Sequence, residues 1–480
     1  MREGQLGRAE EEAQGPLARY SPGCEHQIVG REASGTRGTV ARLGIGLVLL
    51  MMVVLPASGF AEAAPTTIDC TSDTAALRNA LWAASNGDSF LVSGPCQGPI
   101  EMESPMADHI TLRGIGPSPT LHGGNPSVSV GYGGVVTISD VTIDASYMTG
   151  VENGGTLILD GVTVTGNTGW TRPNPGAPGE VGGIYNTGTL TLVNSTVTGN
   201  SGGDGFMGWS QPGDPFGDPG GPGGAGGVEN HGSLTIISST VAGNTGGMGG
   251  IGGMGNMPGP DGPDGVGGIE GSASLTASIV AGNQSQGVRD CQGLFTSGGY
   301  NLIGTVTGCS FTSAGNDLTG TDATPINAHL SSLASSGGPT PTMALGLASP
   351  AVDAIPSGDD ACPTEDQRGI ARPQRGGCDI GAYELNAPAT ELTIGAPRRV
   401  AAGAVATVRG ELESEWAACL KGQRVAVMKG RHKLATGKTT TGGAYAIGVR
   451  VTRTVRIHTE FVGTPWCGPS ASEERTIRAT

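Results

Sequence analysis

Four segments of this sequence repeat one another, and a repeat that stacks on itself limits the possible folds more than any other feature. They are residues 151–169, 184–202, 228–246 and 269–283, the last a shortened copy. Aliphatic residues fill matching columns with Thr or Ser between them, which is the period of two that is typical of β-strands. The columns are Val151, Ile184, Val228 and Ile269; Leu157, Leu190, Leu234 and Leu275; Leu159, Leu192 and Ile236; and Val164, Val197 and Val241.

One copy of the repeat cannot be stable alone. Its four or so aliphatic side chains contribute roughly 6–12 kcal/mol, whereas ordering ~20 residues costs about 30 kcal/mol. Stacked copies cover each other, as in solenoids. We therefore predict an all-β chain whose main part is a right-handed parallel β-helix solenoid with one coil per copy.

Two asparagine columns mark the corners of these coils, and each amide can bond the equivalent amide one coil away. We expect these residues to be structural. They are Asn153, Asn186 and Asn230 at one corner, and Asn167, Asn200, Asn244 and Asn283 at another.

Gly- and Pro-rich inserts separate the copies, at residues 170–183, 201–227 and 245–268. All three leave from the same corner, so we expect a fringe of loops along one side of the rod. Although the chain has 87 glycines, their period is not a strict G-X-Y, which excludes collagen. The composition of the inserts predicts mobility.

Charge is divided between two parts of the chain. Residues 64–388 contain 28 acidic and 7 basic residues, net −21, and residues 389–480 contain 7 acidic and 14 basic, net +7. The acidic rod argues against a nucleic-acid partner. The basic part could contact an anionic cell-wall polymer or nucleic acid, or it could be only a solvated surface.

The N-terminal part reads as a leader. Residues 43–55 are apolar and follow Arg42, and Ala61-Glu62-Ala63 fits a signal-peptidase site. We predict a leader with a signal peptide over 1–63, export to the cell surface or medium, and membrane contact only through this leader.

Eight cysteines follow the leader, and an even number in an exported protein indicates disulfides. Pairing of sequence neighbours agrees with the domain divisions. The expected pairs are Cys70 with Cys96, Cys291 with Cys309, Cys362 with Cys378, and Cys419 with Cys467.

The first coil of a solenoid needs a cover. Asp73 can cap a short helix that runs to about Ala84, with Leu77, Leu81 and Trp82 as its apolar stripe. We predict that this helix closes the N-terminal end of a β-helix domain over 64–296.

Residues 297–388 contain several motifs in order: G-G-Y-N-L-I-G, G-G-P-T-P-T-M-A-L, S-P-A-V-D-A, D-Q-R-G-I-A-R-P and C-D-I-G-A-Y-E. This string closely resembles the choice-of-anchor Q domain of bacterial surface and secreted proteins, where it follows right-handed parallel β-helix repeats. The resemblance implies extracellular display rather than a reaction. We expect a compact cap at the C-terminal end of the rod.

Asp353, Asp366 and Asp379 of this region admit two interpretations. With Arg368 and Arg372 they could form a buried ion-pair network, or they could hold calcium, the only cofactor that the sequence suggests. Acids of the inserts could also hold calcium, although they show no recognised ligand spacing: Asp204, Asp214, Asp218, Asp261 and Asp264.

Residues 389–480 alternate as short strands with Gly-rich turns and predict a β-sandwich domain. The turn T-T-T-G-G-A-Y-A-I resembles that of bacterial immunoglobulin-like or carboxypeptidase-regulatory-like modules, which implies a spacer or a weak binder.

Two functions compete. Exposed aromatics in the inserts could stack on sugars, which favours adhesion to a cell-wall or extracellular polysaccharide, or a display scaffold without catalysis. The alternative is a polysaccharide lyase or glycoside hydrolase. Its acid candidates share one column, interrupted by Tyr185, although basic residues are scarce there. The ligand-binding candidates are Trp170, Phe206, Trp209 and Phe216, and the catalytic candidates are Glu152, Glu229 and Glu270.

Overall fold

The computed structural model describes residues 64–102, 109–210, 215–464 and 467–480. The predicted signal peptide therefore lies outside the described residues. The chain is nearly all β and contains two long runs of parallel strands, which confirms the predicted β-helix solenoid. The central coils each contribute one strand to each of three sheets, named I, II and III below, and the first and last coils contribute to some of these sheets.

The strand bounds follow the coils. Sheet I contains Thr66–Asp69, Ser89–Ser93, His109–Gly114, Val135–Ser139, Thr156–Asp160, Thr189–Val193, Ser233–Ile237, Ala273–Thr276, the end of Cys291–Ser297, and Cys309–Thr312. Sheet II contains Pro95–Gln97, Thr120–His122, Thr142–Asp144, Thr163–Thr165, Thr196–Thr198, Thr240–Ala242, Ile279–Val280, Leu302–Ile303 and Leu318–Thr319. Sheet III contains Ile100–Met102, Val128–Val130, Val151–Asn153, Ile184–Asn186, Val228–Asn230, Ile269–Gly271 and the start of Cys291–Ser297.

The aliphatic columns face inward and form one continuous core. The predicted register holds between the first three copies, where Leu157 pairs with Leu190 and Leu190 with Leu234. It is wrong for the fourth copy, where Leu275 pairs with Ile236. The shift is two residues, because a shift of one would turn every inward side chain to the outside.

The asparagine columns form the expected ladders. The Asn153 amide donates to Asn186 at 2.7 Å, and Asn186 donates to the next member at 2.6 Å. The second ladder ends on Asp290, whose Oδ1 accepts from the backbone N–H and the side-chain amide of Asn283. All these amides are buried, so the ladders satisfy groups that would otherwise destabilise the corners.

The helix at the N-terminal end spans Ala76–Trp82, shorter than predicted. Its Leu77 is fully buried over the first coil, which confirms the covering role. Two details were wrong. Ala75 is the N-cap residue, and the Asp73 carboxylate accepts the Ala75 N–H instead of capping the helix. Trp82 points into solvent and is 81% exposed.

The three inserts form an ordered structure. Glycine N–H groups at every third residue donate to carbonyls of neighbouring inserts: those of residues 217, 220, 223 and 226 bond residues 257, 260, 263 and 266. Among the described insert glycines only Gly176 has a positive φ. Extended segments with a period of three and glycine at each contact are typical of packed polyproline II helices. We name residues 170–183, 201–210, 215–227 and 245–268 the array.

The mobility predicted for these inserts is therefore corrected. A Cβ atom on most array glycines would collide with a neighbouring carbonyl, as at Gly221 against Ala177 and at Gly247 against Gly203. Each insert lies one coil above the preceding insert, and their backbones are so close that only glycine, which has no Cβ, fits at the contacts. A strict local period of three, as in residues 245–255, was the signal that a count over the whole chain obscured.

The region after residue 296 also differs from expectation. Its first strands continue the solenoid ladders, up to Leu318–Thr319. The later part, residues 338–385, runs back along the outside of sheet II instead of plugging the end. Gln367 bonds two adjacent strands of sheet II: its Nε2 donates to Thr163 Oγ1 at 2.8 Å and its Oε1 accepts from Thr196. The same Nε2 lies 2.9 Å from Thr340 Oγ1 of the covering segment. The outward Thr column is consequently buried.

The C-terminal domain is the predicted β-sandwich with its own core. One sheet contains Thr390–Leu392, Val405–Ser414 and Ala444–Arg450. The other contains, in spatial order, Arg399–Val400, Arg475–Ala479, Val455–Phe461, Arg424–Lys429 and His432–Lys438, with Ser470–Ala471 beside Val455–Phe461. A two-stranded pair, Ile355–Pro356 with Gly377–Cys378, and a 3₁₀ turn, Ala417–Cys419, complete the elements.

All four expected disulfides are present, Cys70–Cys96, Cys291–Cys309, Cys362–Cys378 and Cys419–Cys467. Such a set is compatible with an extracellular protein. In the described part of the chain, no helix has the length and apolarity needed to cross a membrane.

Candidate functional site

A cleft of about 370 Å³ lies where the array meets sheet III. Its floor is formed by the middle residues of four successive strands, which pair in register as Glu152, Tyr185, Glu229 and Glu270. These side chains point outward, since both neighbours are buried in the first three strands and Ile269, which precedes Glu270, is buried in the fourth. The three acids predicted from the sequence are therefore gathered in one concave site.

The array supplies the wall of this cleft through residues 178–181 and 222–223. Arg172, the only basic residue of the inserts, donates from Nε and Nη2 to Glu180 Oε1 at 2.8 and 2.6 Å. Glu180 Oε2 is buried and has no hydrogen-bond partner in the described structure. The cleft thus contains four carboxylates and one guanidinium, and its net charge is negative.

Burial and neighbouring negative charge raise the pKa of two groups on the floor of the cleft. Burial, then the neighbouring Glu229, raises the pKa of Glu270 above its ordinary range. Burial also raises the pKa of Tyr185, and Glu229 and Glu152 add to the effect. Glu229 receives a hydrogen bond from His231 Nε2 at 2.7 Å, and the His231 ring packs edge-on against Tyr185. Two acids with different environments can act as a proton donor and its partner.

A second feature lies on the outer surface of the array. Because the segments have a period of three, residues 248, 251 and 254 all face solvent, and they are Met, Ile and Met. Met254 is 88% exposed. We name the exposed apolar residues of the array the ridge. They are Trp170, Met207, Trp209, Phe216, Met248, Ile251, Met254 and Met257.

The ridge includes three of the four predicted aromatic ligand residues. Trp170, Trp209 and Phe216 are exposed, whereas Phe206 is half-buried between array segments. The backbone of Trp209 is tied into the array, since its carbonyl accepts from the Asp218 N–H at 2.9 Å. The three exposed side chains are accessible to a ligand.

Acidic residues of the inserts have a structural role. Asp204 Oδ1 accepts from the Met248 N–H, Asp264 Oδ1 from Gly249 and Asp261 Oδ1 from Gly252, all at 2.8–2.9 Å. These N–H groups belong to residues 248–252 of the last insert, and the aspartates supply their hydrogen-bond acceptors. The sequence also suggested calcium for acids of this part, and Asp214 of that set lies outside the described residues.

The acids predicted for calcium in residues 353–384 lie in an ion-pair network. Asp366 accepts two hydrogen bonds from the Arg368 guanidinium, at 2.7 and 2.9 Å, and a third from the Arg368 backbone N–H. Asp353 lies 3.2 Å from Arg375, whose Nη2 is 3.9 Å from Asp379. A calcium ion would have to displace these guanidinium groups. Among all described residues, no group of three or more His, Cys, Asp or Glu side chains is arranged for a metal.

The same network contains Arg372, which lies 3.2 Å from Glu384, with both side chains buried. Burial, then the nearby Glu384, raises the pKa of Asp379 to about 7. The arrangement fixes residues 366–384 against sheet II, which is the structural interpretation offered by the sequence.

Sequence reasoning missed three participants. His231 directly follows a repeat strand, and Glu180 lies in an insert that was expected to be mobile. The ridge methionines were missed because their common feature, a spacing of three, matters only in a polyproline II segment. That spacing was the available signal.

No family model matches this chain, and no curated protein matches it. Among solved structures, the sulfur carrier protein SoxY from Chlorobium limicola f thiosulfatophilum is similar over 20% of this chain and 86% of that chain, with 13% identity and a TM-score of 0.15. A TM-score this low carries no argument about fold or function.

Proposed function

We propose that this chain is an exported adhesion protein that binds an extracellular polysaccharide through the ridge of its array. Export rests on the leader predicted over 1–63, with which the four disulfides agree. The observation that carries the proposal is the set of eight exposed apolar side chains on one hydrogen-bonded scaffold, three of which recur at every third residue. Soluble proteins seldom expose so many large apolar groups on one structural element unless the surface binds something.

The chemistry of the ridge selects the kind of ligand. Aromatic rings such as Trp209 and Phe216 offer flat apolar faces that can stack on sugar rings, and methionine adapts to irregular surfaces. The surrounding residues 64–388 have a net charge of −21. Since that field repels anions, the ridge suits an uncharged polysaccharide.

The test is retention of the protein, from residue 64 onward, on a panel of insoluble neutral and anionic polysaccharides. Trp209→Ala with Phe216→Ala should weaken binding to a neutral polysaccharide about tenfold or more, equivalent to ~1.4 kcal/mol. Trp82→Ala is the matched control, because Trp82 is an exposed tryptophan outside the array. Unchanged retention of the double variant contradicts the proposal.

A second candidate function is cleavage of a glycan in the cleft, supported by the pairing of Glu229 with Glu270 in adjacent coils. Strands one coil apart are separated by about 4.8 Å, close to the ~5 Å between carboxyl groups of retaining glycosidases. Glu270, with its raised pKa, would be the proton donor. Glu229 would be the nucleophile.

This candidate predicts turnover as well as retention. Glu270→Gln and Glu229→Gln should each abolish product formation, whereas Glu365→Gln, an exposed acid away from the cleft, should not. Because its pKa is raised, Glu270 should keep its proton to higher pH than an ordinary glutamic acid, and activity should fall as pH rises through that pKa. Retention without products from any glycan leaves only the adhesion proposal.

A further inference from the structure

The C-terminal sandwich carries a groove of about 830 Å³ whose charge is opposite to that of the rod. Four arginines line it: Arg398, Arg399, Arg475 and Arg478. Three of them come from the two strands at one edge of the larger sheet, Arg399–Val400 and Arg475–Ala479, which pair in parallel, and Arg398 directly precedes the first of these strands. All four side chains are exposed to solvent.

Two of these arginines lie directly opposite each other. Arg399 and Arg478 are register partners, so their Cα atoms are about one strand spacing, ~4.8 Å, apart. Like charges at such a pair destabilise a sheet. In the described structure no carboxylate lies within ion-pair distance of Arg398, Arg399 or Arg478. The fold therefore retains an unneutralised repulsion that a bound anion would relieve.

The acidic residues nearby are already paired with other cations. Glu474, in the groove, lies 3.4 Å from Arg456, and Glu473 lies 3.1 Å from Arg475. These contacts leave the central pair of arginines available. Guanidinium groups bind carboxylate and phosphate with two parallel hydrogen bonds, which makes arginine the preferred residue for such anions.

We propose that this groove binds an extracellular polymer with repeating phosphate or carboxylate groups, at a site separate from the ridge and the cleft. A groove lined by four cations, two of them on adjacent strands, fits a chain that carries many anions. The lining contains no aromatic side chain among the described residues, so it offers no platform for the base stacking used by proteins that bind single-stranded nucleic acid. The site is independent of the proposed adhesion function, because it needs neither array nor solenoid residues.

The experiment measures affinity of the protein from residue 64 onward for polyphosphate and for polygalacturonate, with dextran as an uncharged comparison. The variant is Arg399→Gln with Arg478→Gln. Its matched control is Arg431→Gln with Lys433→Gln, which removes the same charge beside the opposite edge strand, His432–Lys438. The two polymers distinguish a phosphate ligand from a carboxylate ligand.

The groove variant should bind the preferred polymer about tenfold more weakly, and the control less than twofold. The slope of log K against log salt should fall by about 1.4 for the groove variant, ~0.7 for each lost contact. The groove variant should unfold no more easily than the parent, since it removes a repulsion, and this excludes misfolding as the cause.

Three results would overturn the proposal. The first is an equal loss of polymer affinity in the groove variant and the control variant, which would mean that net charge and not the groove binds the polymer. The second is tighter binding of single-stranded DNA than of either polymer. The third is self-association of the protein that the groove variant abolishes while polymer binding persists, which would make the acidic rod of a second copy the ligand.

Discussion

The solenoid and the array belong to the same coils and stack in the same direction. Side-chain packing holds the solenoid together, whereas backbone contacts hold the array together. In the solenoid, aliphatic side chains fill the interior and strands alternate with a period of two. In the array, segments have a period of three and contact each other through glycine backbone atoms. One region therefore depends on which side chains are present, and the other on their absence.

The difference changes how glycine richness is interpreted. Glycine usually favours flexible segments because it loses most entropy on ordering. In the array this cost is offset by hydrogen bonds at every third residue and by attachment of both ends of each insert to a rigid coil. The side chains that remain face outward, which is why the array exposes a ridge while the solenoid exposes little.

The largest expected effect comes from the solenoid interior. Leu192 is fully buried between coils, so Leu192→Ala should lower the free energy of unfolding by about 2–5 kcal/mol through lost burial and a cavity. Met248→Ala, an exposed position of the ridge, should change it by less than about 0.5 kcal/mol. Denaturant unfolding measures both, and equal losses would contradict the division between the two regions.

The asparagine ladder should show a smaller effect. Asn200 donates to Asn244 at 2.9 Å and receives hydrogen bonds from the Asn167 N–H and amide. Asn200→Ala leaves buried polar groups unpaired and should cost about 1–3 kcal/mol in the same measurement. Asn256→Ala, exposed in the array, is the control, and a loss as large there would remove the distinction.

Substitution of an array glycine should act locally. A Cβ on Gly221 would collide with the Ala177 carbonyl, so Gly221→Ala must separate two segments, at about 1–3 kcal/mol of strain. We expect faster hydrogen exchange of array amides, with exchange in the solenoid strands unchanged. Gly442→Ala is the control, since its Cβ meets nothing within 4 Å. Slow array exchange in the Gly221 variant would show that the segments are not closely packed.

The smallest effect concerns the last outward segment of the array. Asp264→Ala removes the acceptor of the Gly249 N–H. It should lower the free energy of local opening, measured by hydrogen exchange, by about 0.5–1.5 kcal/mol. Asp264→Asn keeps an oxygen acceptor and should have less effect. If exchange in the Asp264→Ala variant is no faster than in the parent, the Asp264 carboxylate does not stabilise this segment.

Expectations from the sequence succeeded where neighbouring copies determine the result. The columns of Leu157 and Asn167 follow from a repeat that pairs with itself, and the four disulfides follow from the pairing of sequence neighbours. The fourth copy misled the alignment because both Leu275 and Leu234 occupy inward positions, and a shift of two preserves that pattern.

Expectations failed where distant segments meet. Nothing near Thr163 or Thr196 in the sequence indicates that Gln367 binds both. The candidate acids were identified from their column, but the cleft around them needs the array wall and the Arg172–Glu180 pair. Composition alone also gave no reason to expect order in the inserts.

The sequence by itself determined the coils, since each repeat can bury its aliphatic face only against another copy. It also determined the division of charge that leaves the sandwich basic and the rod acidic. The tertiary structure decided what surrounds the coils: which surface of sheet II is covered, how the glycine segments pack, and which side chains remain exposed. Those outcomes depend on contacts between segments far apart in the chain, and a local sequence pattern carries no information about such contacts.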